Sequence, residues 1–117
     1  MQETIKHINA NGIEYPIVFN LNVMEKIQEK YQSLEKWGKL TEGKENEIDI
    51  KALKLGITEM INEGIDIENE TQEVKREFLS EKQVGRIITD IGIAKLATDV
   101  QNTVIDSTKT DNEPKNE

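Results

Sequence analysis

The dipeptide Asn11-Gly12 constrains this chain more than any other pair of residues. A two-residue type I′ turn needs φ > 0 at both central positions, and Asn-Gly meets that demand with the least strain. A turn placed there sets the register of a β-hairpin over about residues 4–19. Ala10 then faces Ile13, Ile8 faces Tyr15, Lys6 faces Ile17 and Thr4 faces Phe19. Side chains alternate with period two, so Ile13, Tyr15, Ile17 and Phe19 share one face with Ile8 and Ala10, while Glu14, Pro16 and Val18 take the other. Pro16 has no N–H to donate, which suits an edge strand or a bulge and marks that side as unpaired. A lone hairpin is only marginally stable in water, so its apolar face must be covered by the helices or by another chain.

The rest of the chain reads as helix. Val23, Ile27, Tyr31, Leu34 and Trp37 recur at spacings of four and three, the stripe of an amphipathic helix over about 21–37 that Gly38 stops. Either Asn20 or Asn22 can cap it, the first with a Phe19–Met24 staple and the second with Glu25 in a capping box. A second helix over about 50–63 starts on Asp49, stapled by Ile48 and Leu53, and ends with Gly64 at C′. The third, about 81–91, has an S-x-x-Q capping box in Ser80-Glu81-Lys82-Gln83 with Leu79 set to staple Val84. Its Gly85 is placed for the close approach of a neighbour. Gly92 breaks it, and Ile93, Leu96, Ala97, Val100 and Val104 continue with helical spacing over about 93–105. The expectation is an α+β fold, mostly helical: an N-terminal β-hairpin followed by three to four helices. Residues 1–106 form a single domain, and the polar stretch 107–117 is a disordered tail.

Composition narrows the function. Fifteen basic residues stand against 23 acidic ones, for a net charge of −8. A phosphate-binding surface or an anionic-membrane anchor needs the opposite balance, so neither nucleic acid nor membrane is an expected partner. There is no cysteine, which excludes disulfides, thiolate metal sites and a cysteine nucleophile. The start carries no apolar stretch of signal-peptide length, and no run is long enough to span a bilayer. The charge has an address: residues 1–41 are neutral, 42–49 carry −3 and 59–77 carry −5. The expectation is a polarised molecule, with an acidic solvating side and an uncharged side free for protein contact.

Each residue type that carries chemistry also has a plainer account. His7, the single histidine, has no nucleophile near it in sequence and reads as a partly exposed strand residue. Asp66, Glu68, Glu70 and Glu77 fall at positions 1, 3, 5 and 12 of a calcium loop, but Thr71 stands where the sharp turn needs glycine, so the stretch reads as a solvated acidic loop. Gly85 and Gly92 form no phosphate-cradling motif. Tyr31 and Trp37, at helical spacing beside Ile27 and Leu34, read as core. No catalytic, cofactor or metal site is expected, and the chain is not expected to be an enzyme.

The run from Ile8 to Tyr31 resembles the opening of the tail assembly chaperones of long-tailed phages. The likeness lies in the Asn-Gly hairpin, then Tyr15-Pro-Ile-Val-Phe-Asn20, then a helix through Glu29-Lys-Tyr31. The Ile61-Asn-Glu-Gly64 turn and the Leu79–Val84 helix start are similar to the family in layout only. Lysine outnumbers arginine 13 to 2 and isoleucine outnumbers leucine 16 to 7, the codon bias of a low-GC bacterium or its phage. The resemblance implies a protein that binds the tape measure protein in many copies. It keeps that protein soluble until the tail tube polymerises, acts in the host cytoplasm and is absent from the mature virion. Contacts with the tail tube protein or with further copies of the chain are also within its scope. The expected contact residues are Ile13, Tyr15, Ile17, Phe19, Met24 and Ile27. The alternative is another phage morphogenesis component, such as a head–tail connector or a minor tail protein.

Overall fold

The computed structural model describes residues 4–108. An antiparallel hairpin, β1 (Lys6–Ala10) and β2 (Ile13–Ile17), leads into α1 (Leu21–Tyr31) and α2 (Leu34–Leu40). A short 3₁₀ turn at Glu45–Glu47 precedes the long α3 (Ile50–Asn69), followed by α4 (Glu81–Ile91) and α5 (Ile93–Thr108). The fold is α+β and mostly helical. Asn11 and Gly12 both take positive φ, at 54° and 77°, and the register is the one the turn demands, from Lys6 opposite Ile17 to Ala10 opposite Ile13. The ladder stops at Ile17, so Thr4 and Phe19 do not pair.

α3 is the axis on which everything else packs. Its Leu53, Ile57, Met60, Ile61 and Ile65 are fully buried. β2 lies against its C-terminal half, where Val18 N–H donates to the Met60 carbonyl at 3.2 Å. α1 runs back along it. The Asn20 and Asn22 amides donate to the Glu63 carboxylate at 2.8 and 3.0 Å, and beyond α2 the Leu40 carbonyl accepts from Asp49 N–H at 2.8 Å. α4 closes the other flank, with Val84, Ile87 and Ile88 turned inward. The hairpin thus gains the cover it needs from its own helices.

Three expected helix boundaries differ, two of them for a tertiary reason. The helix expected over 21–37 is two helices, broken where Gln32 takes φ 75° and the Ser33 hydroxyl accepts from Lys36 N–H at 3.0 Å. Serine offers the backbone a local alternative to the helical ladder, and the turn it allows carries Trp37 over α3. There the indole N–H donates to the Ala52 carbonyl at 2.8 Å, and the ring covers Gly56. Gly38 lies inside α2 and does not stop it. Thr41 closes that helix, bonding back to the Trp37 and Gly38 carbonyls.

Gly64 does not end the next helix, which runs five residues further, to Asn69. A Cβ at Gly64 would lie 2.9 Å from the Pro16 Cβ, so this glycine is a contact point for β2 rather than a C-cap. Finally, α5 reaches Thr108, past the expected start of the tail at 107; the remainder of that expected tail lies outside the described residues.

The expected caps form. Asn20 caps α1 through Val23 N–H, Asp49 caps α3 through Ala52 N–H, and Ser80 with Gln83 forms the reciprocal capping box of α4. Gly92, at φ 105°, makes the α4–α5 corner. No helix among the described residues is long and apolar enough to cross a membrane.

Candidate protein-docking surface

The six expected contact residues do not form one outward patch. Ile17, Phe19 and Ile27 are fully buried in the core, because β2 packs on α3, β1 on α4, and α1 turns its own apolar stripe onto α3. In the folded chain they present no surface to a partner. Met24 is half-buried at the edge of the same cluster. Tyr15 is half-buried too, with the Arg76 guanidinium 5.1 Å above its ring, a cation–π contact. Only Ile13, at the turn, is exposed, at 48%. The outer side of β2, expected to be unpaired, is occupied: Pro16 rests on Gly64, and the Arg76 guanidinium donates to the Glu14 carbonyl at 3.0 Å.

The second outcome concerns charge. The two acidic stretches lie at different levels along α3. Residues 42–49 lead into the start of α3, while 59–77 follow its C-terminal half and the connection beyond. Of the calcium-loop residues, Asp66 and Glu68 are on α3 itself, and among the described residues no three acids or histidines are grouped to hold a metal ion. The His7 ring nitrogen Nε2 lies 2.8 Å from the Glu68 carboxylate, tying β1 to α3.

Outward apolar character lies elsewhere. Between the start of α3, the middle of α4 and the Gly92 corner runs a groove of about 480 Å³. Ile88 and Ile93 form its walls, Ile50 stands half-exposed at its rim, and Lys54, Glu45 and Thr89 supply its polar edge. Gly85 lies in the floor. A Cβ there would meet nothing nearer than the Lys54 side chain at 3.5 Å, an ordinary contact. The close approach expected at Gly85 occurs instead at Gly56 and Gly64. A helix-interior glycine costs about 0.5–1 kcal/mol relative to alanine, and the effect of this one is to deepen the groove. Chemically the groove offers apolar walls and two opposite charges, which is what an amphipathic helix with an apolar ridge requires.

A feature missed in the sequence governs the other flank. The connection from α3 to α4 runs extended along α3 and is clasped by two asparagines. Asn62 donates to the Leu79 carbonyl at 3.0 Å and accepts from Leu79 N–H at 2.8 Å. Asn69 treats Arg76 the same way, with both bonds at 3.0 Å. Each side-chain amide thus stands in for a strand neighbour, satisfying both backbone groups of one residue. The readable signal was two asparagines seven apart on a helix with no cap to make. The strap so held leaves Val74 80% and Phe78 58% exposed.

On the rim of the domain, Glu59 is pushed above the ordinary carboxylate range, first by burial and then by Glu81, Glu29 and Glu63, with Lys26 opposing. No known protein family, curated protein or solved structure matches this chain.

Proposed function

We propose that this chain is a tail assembly chaperone of a long-tailed phage or prophage, which holds the tape measure protein soluble until the tail tube polymerises around it. The observation that carries the reading is the run from Ile8 to Tyr31, with its Asn-Gly hairpin passing through Tyr15-Pro-Ile-Val-Phe-Asn20 into an asparagine-capped helix. The groove of Ile50, Ile88 and Ile93 supports it, being a concave apolar surface on a strongly acidic molecule. A long helical client presents apolar ridges that such a groove accepts, while the net charge of −8 keeps the complex dispersed. On this reading the client contacts Ile50 and Ile93 rather than the buried Ile17, Phe19 and Ile27.

Co-expression tests the proposal. The tape measure protein of the same genome should turn soluble and co-purify with several copies of this chain, and Ile50→Asp should reduce that recovery without lowering the melting temperature of the chaperone. A tape measure protein equally soluble without the chain refutes the reading. Detection of the chain in purified virions points to a structural component of the particle instead.

A further inference from the structure

We infer that α5 is a stand-in, lying in a seat that an amphipathic helix of a partner protein takes when α5 swings away about Gly92. That one residue joins α5 to α4. Its φ of 105° needs glycine, and an added Cβ would meet nothing within 4 Å, so the corner is free of packing. Among the described residues no backbone–backbone hydrogen bond runs from α5 to another element; Leu96 N–H donates to the Gly92 carbonyl at 3.0 Å, within the corner itself. Side chains fasten the helix instead. The Gln101 amide donates to the Thr41 hydroxyl at 3.1 Å, and the Lys6 ammonium bonds the Asp106 carboxylate at 2.5 Å, a half-exposed ion pair of the kind that adds little.

The seat is better than the helix in it. α5 turns Leu96, Val100, Thr103 and Ser107 inward, spaced four, three and four residues apart, the a–d spacing of a heptad helix. Two of the four are hydroxyl residues. Thr103 turns its hydroxyl back to the Asp99 carbonyl at 2.8 Å. The buried Ser107 hydroxyl has no hydrogen-bond partner among the described residues, so its desolvation is uncompensated. Ile105, meanwhile, faces solvent at 52% exposure. Beside Thr103 a cavity of about 190 Å³ is left against Ile8 and Ile17 of the hairpin, with Lys6 and His7 also in its lining. Room for a larger side chain exists where α5 supplies a threonine.

Shape and charge define the occupant. A four-turn helix fits, because one of 16 residues already lies there. A helix with leucine or isoleucine at all four inward positions buries more apolar surface than α5 does, fills the cavity and leaves no buried hydroxyl. Lys6 selects a carboxylate just before the last inward residue, as Asp106 precedes Ser107, and Thr41 selects an amide just after the second, as Gln101 follows Val100. Exchange replaces one helix with another, so the hairpin stays covered. The seat shares no lining residue with the groove at Ile50 and Ile88, and the inference holds whichever protein supplies the helix.

The full chain has no cysteine, so α5 can be fastened chemically: Lys6→Cys with Asp106→Cys, joined by a short bis-maleimide, holds it closed. Unchanged circular dichroism of the double variant verifies folding. The probe is a fluorescein-labelled synthetic peptide of residues 93–108 carrying Thr103→Leu and Ser107→Leu, read by fluorescence anisotropy. It should bind the wild-type chain saturably, bind the unfastened double variant at least as tightly, and bind the fastened one more than about tenfold less tightly. Ser107→Ala in the full chain removes the unpaired hydroxyl and favours closure; it should raise the melting temperature and weaken the peptide about fivefold. A peptide that fails to bind the wild-type chain overturns the inference. So does equal affinity for the fastened and unfastened forms, which places the peptide elsewhere on the surface. A wild-type chain that sediments as a dimer, and as a monomer only when fastened, gives the seat to a second copy and overturns it too.

Discussion

Two interfaces of α3 differ in what their glycines do. Along one, Gly56 takes the Trp37 ring, and Gly64 takes Pro16 of the hairpin. An added Cβ would lie 2.2 Å from the ring in the first case and 2.9 Å from the proline in the second. Along the other, Gly85 of α4 faces α3 across a space where an added Cβ would meet only the Lys54 side chain. The same residue type, inside a helix in all three cases, brings backbone and side chain into contact at the first interface and leaves an opening at the second. The first is a permanent joint; the second has room for something the chain does not itself supply.

Gly56→Ala should break this contrast hardest. The tryptophan cannot stay where it is, and its bond to Ala52 goes with it, so the loss should be about 3 kcal/mol, at the upper end for overpacking, read from urea denaturation. Gly64→Ala should cost less, about 1–2 kcal/mol, because its Cβ would lie 2.9 Å from the proline where the Gly56 Cβ would lie 2.2 Å from the indole; the same titration measures it, and a neutral result removes Pro16 from the joint. Gly85→Ala should run the other way. It should stabilise the fold by about 0.5–1 kcal/mol through helix propensity alone, while filling part of the groove and weakening any client held there. A destabilised Gly85→Ala would mean that α4 packs as tightly as the hairpin does, and the contrast would fail.

The smallest effect belongs to Glu59, at the edge of the first interface. Its raised pKa means the folded state holds the proton more tightly than the unfolded one. That contribution is fully present below about pH 4.3 and is lost as pH rises through the folded-state value. Glu59→Gln should therefore raise the melting temperature slightly at pH 7, with the gain fading toward pH 4. A gain that persists in acid would assign the effect to packing.

How much of this was legible in the sequence follows the range of the interactions. The hairpin register rests on two adjacent residues, and the caps of α1, α3 and α4 on residues three apart, so all were readable. The break at Gly92 was readable for the same reason. Gly64 was not, because the residue that explains it, Pro16, lies 48 positions away in the chain. Period-two alternation identified which hairpin residues share a face. It could not say that the chain's own α3 would cover them, and so Ile17 and Phe19 stood as contact candidates. The stripe through Tyr31, Leu34 and Trp37 was real in spacing but crosses two helices, since Ser33 competes with the ladder only when a tertiary site rewards the turn. The groove at Ile50, Ile88 and Ile93 joins three elements, and no local pattern announces such a place.

The paired clasps of Asn62 and Asn69 also carry a length rule. Seven residues of helix advance about 10 Å, and three residues of extended chain advance about the same, so the two lattices come into step only at this spacing. One residue inserted between Arg76 and Leu79 would put them out of step and release one clasp or the other. The same insertion at Gln72 or Glu73, outside the clasped interval, would only lengthen the turn. Within a dozen residues, evolution has one segment whose length is fixed by geometry beside another whose length is free.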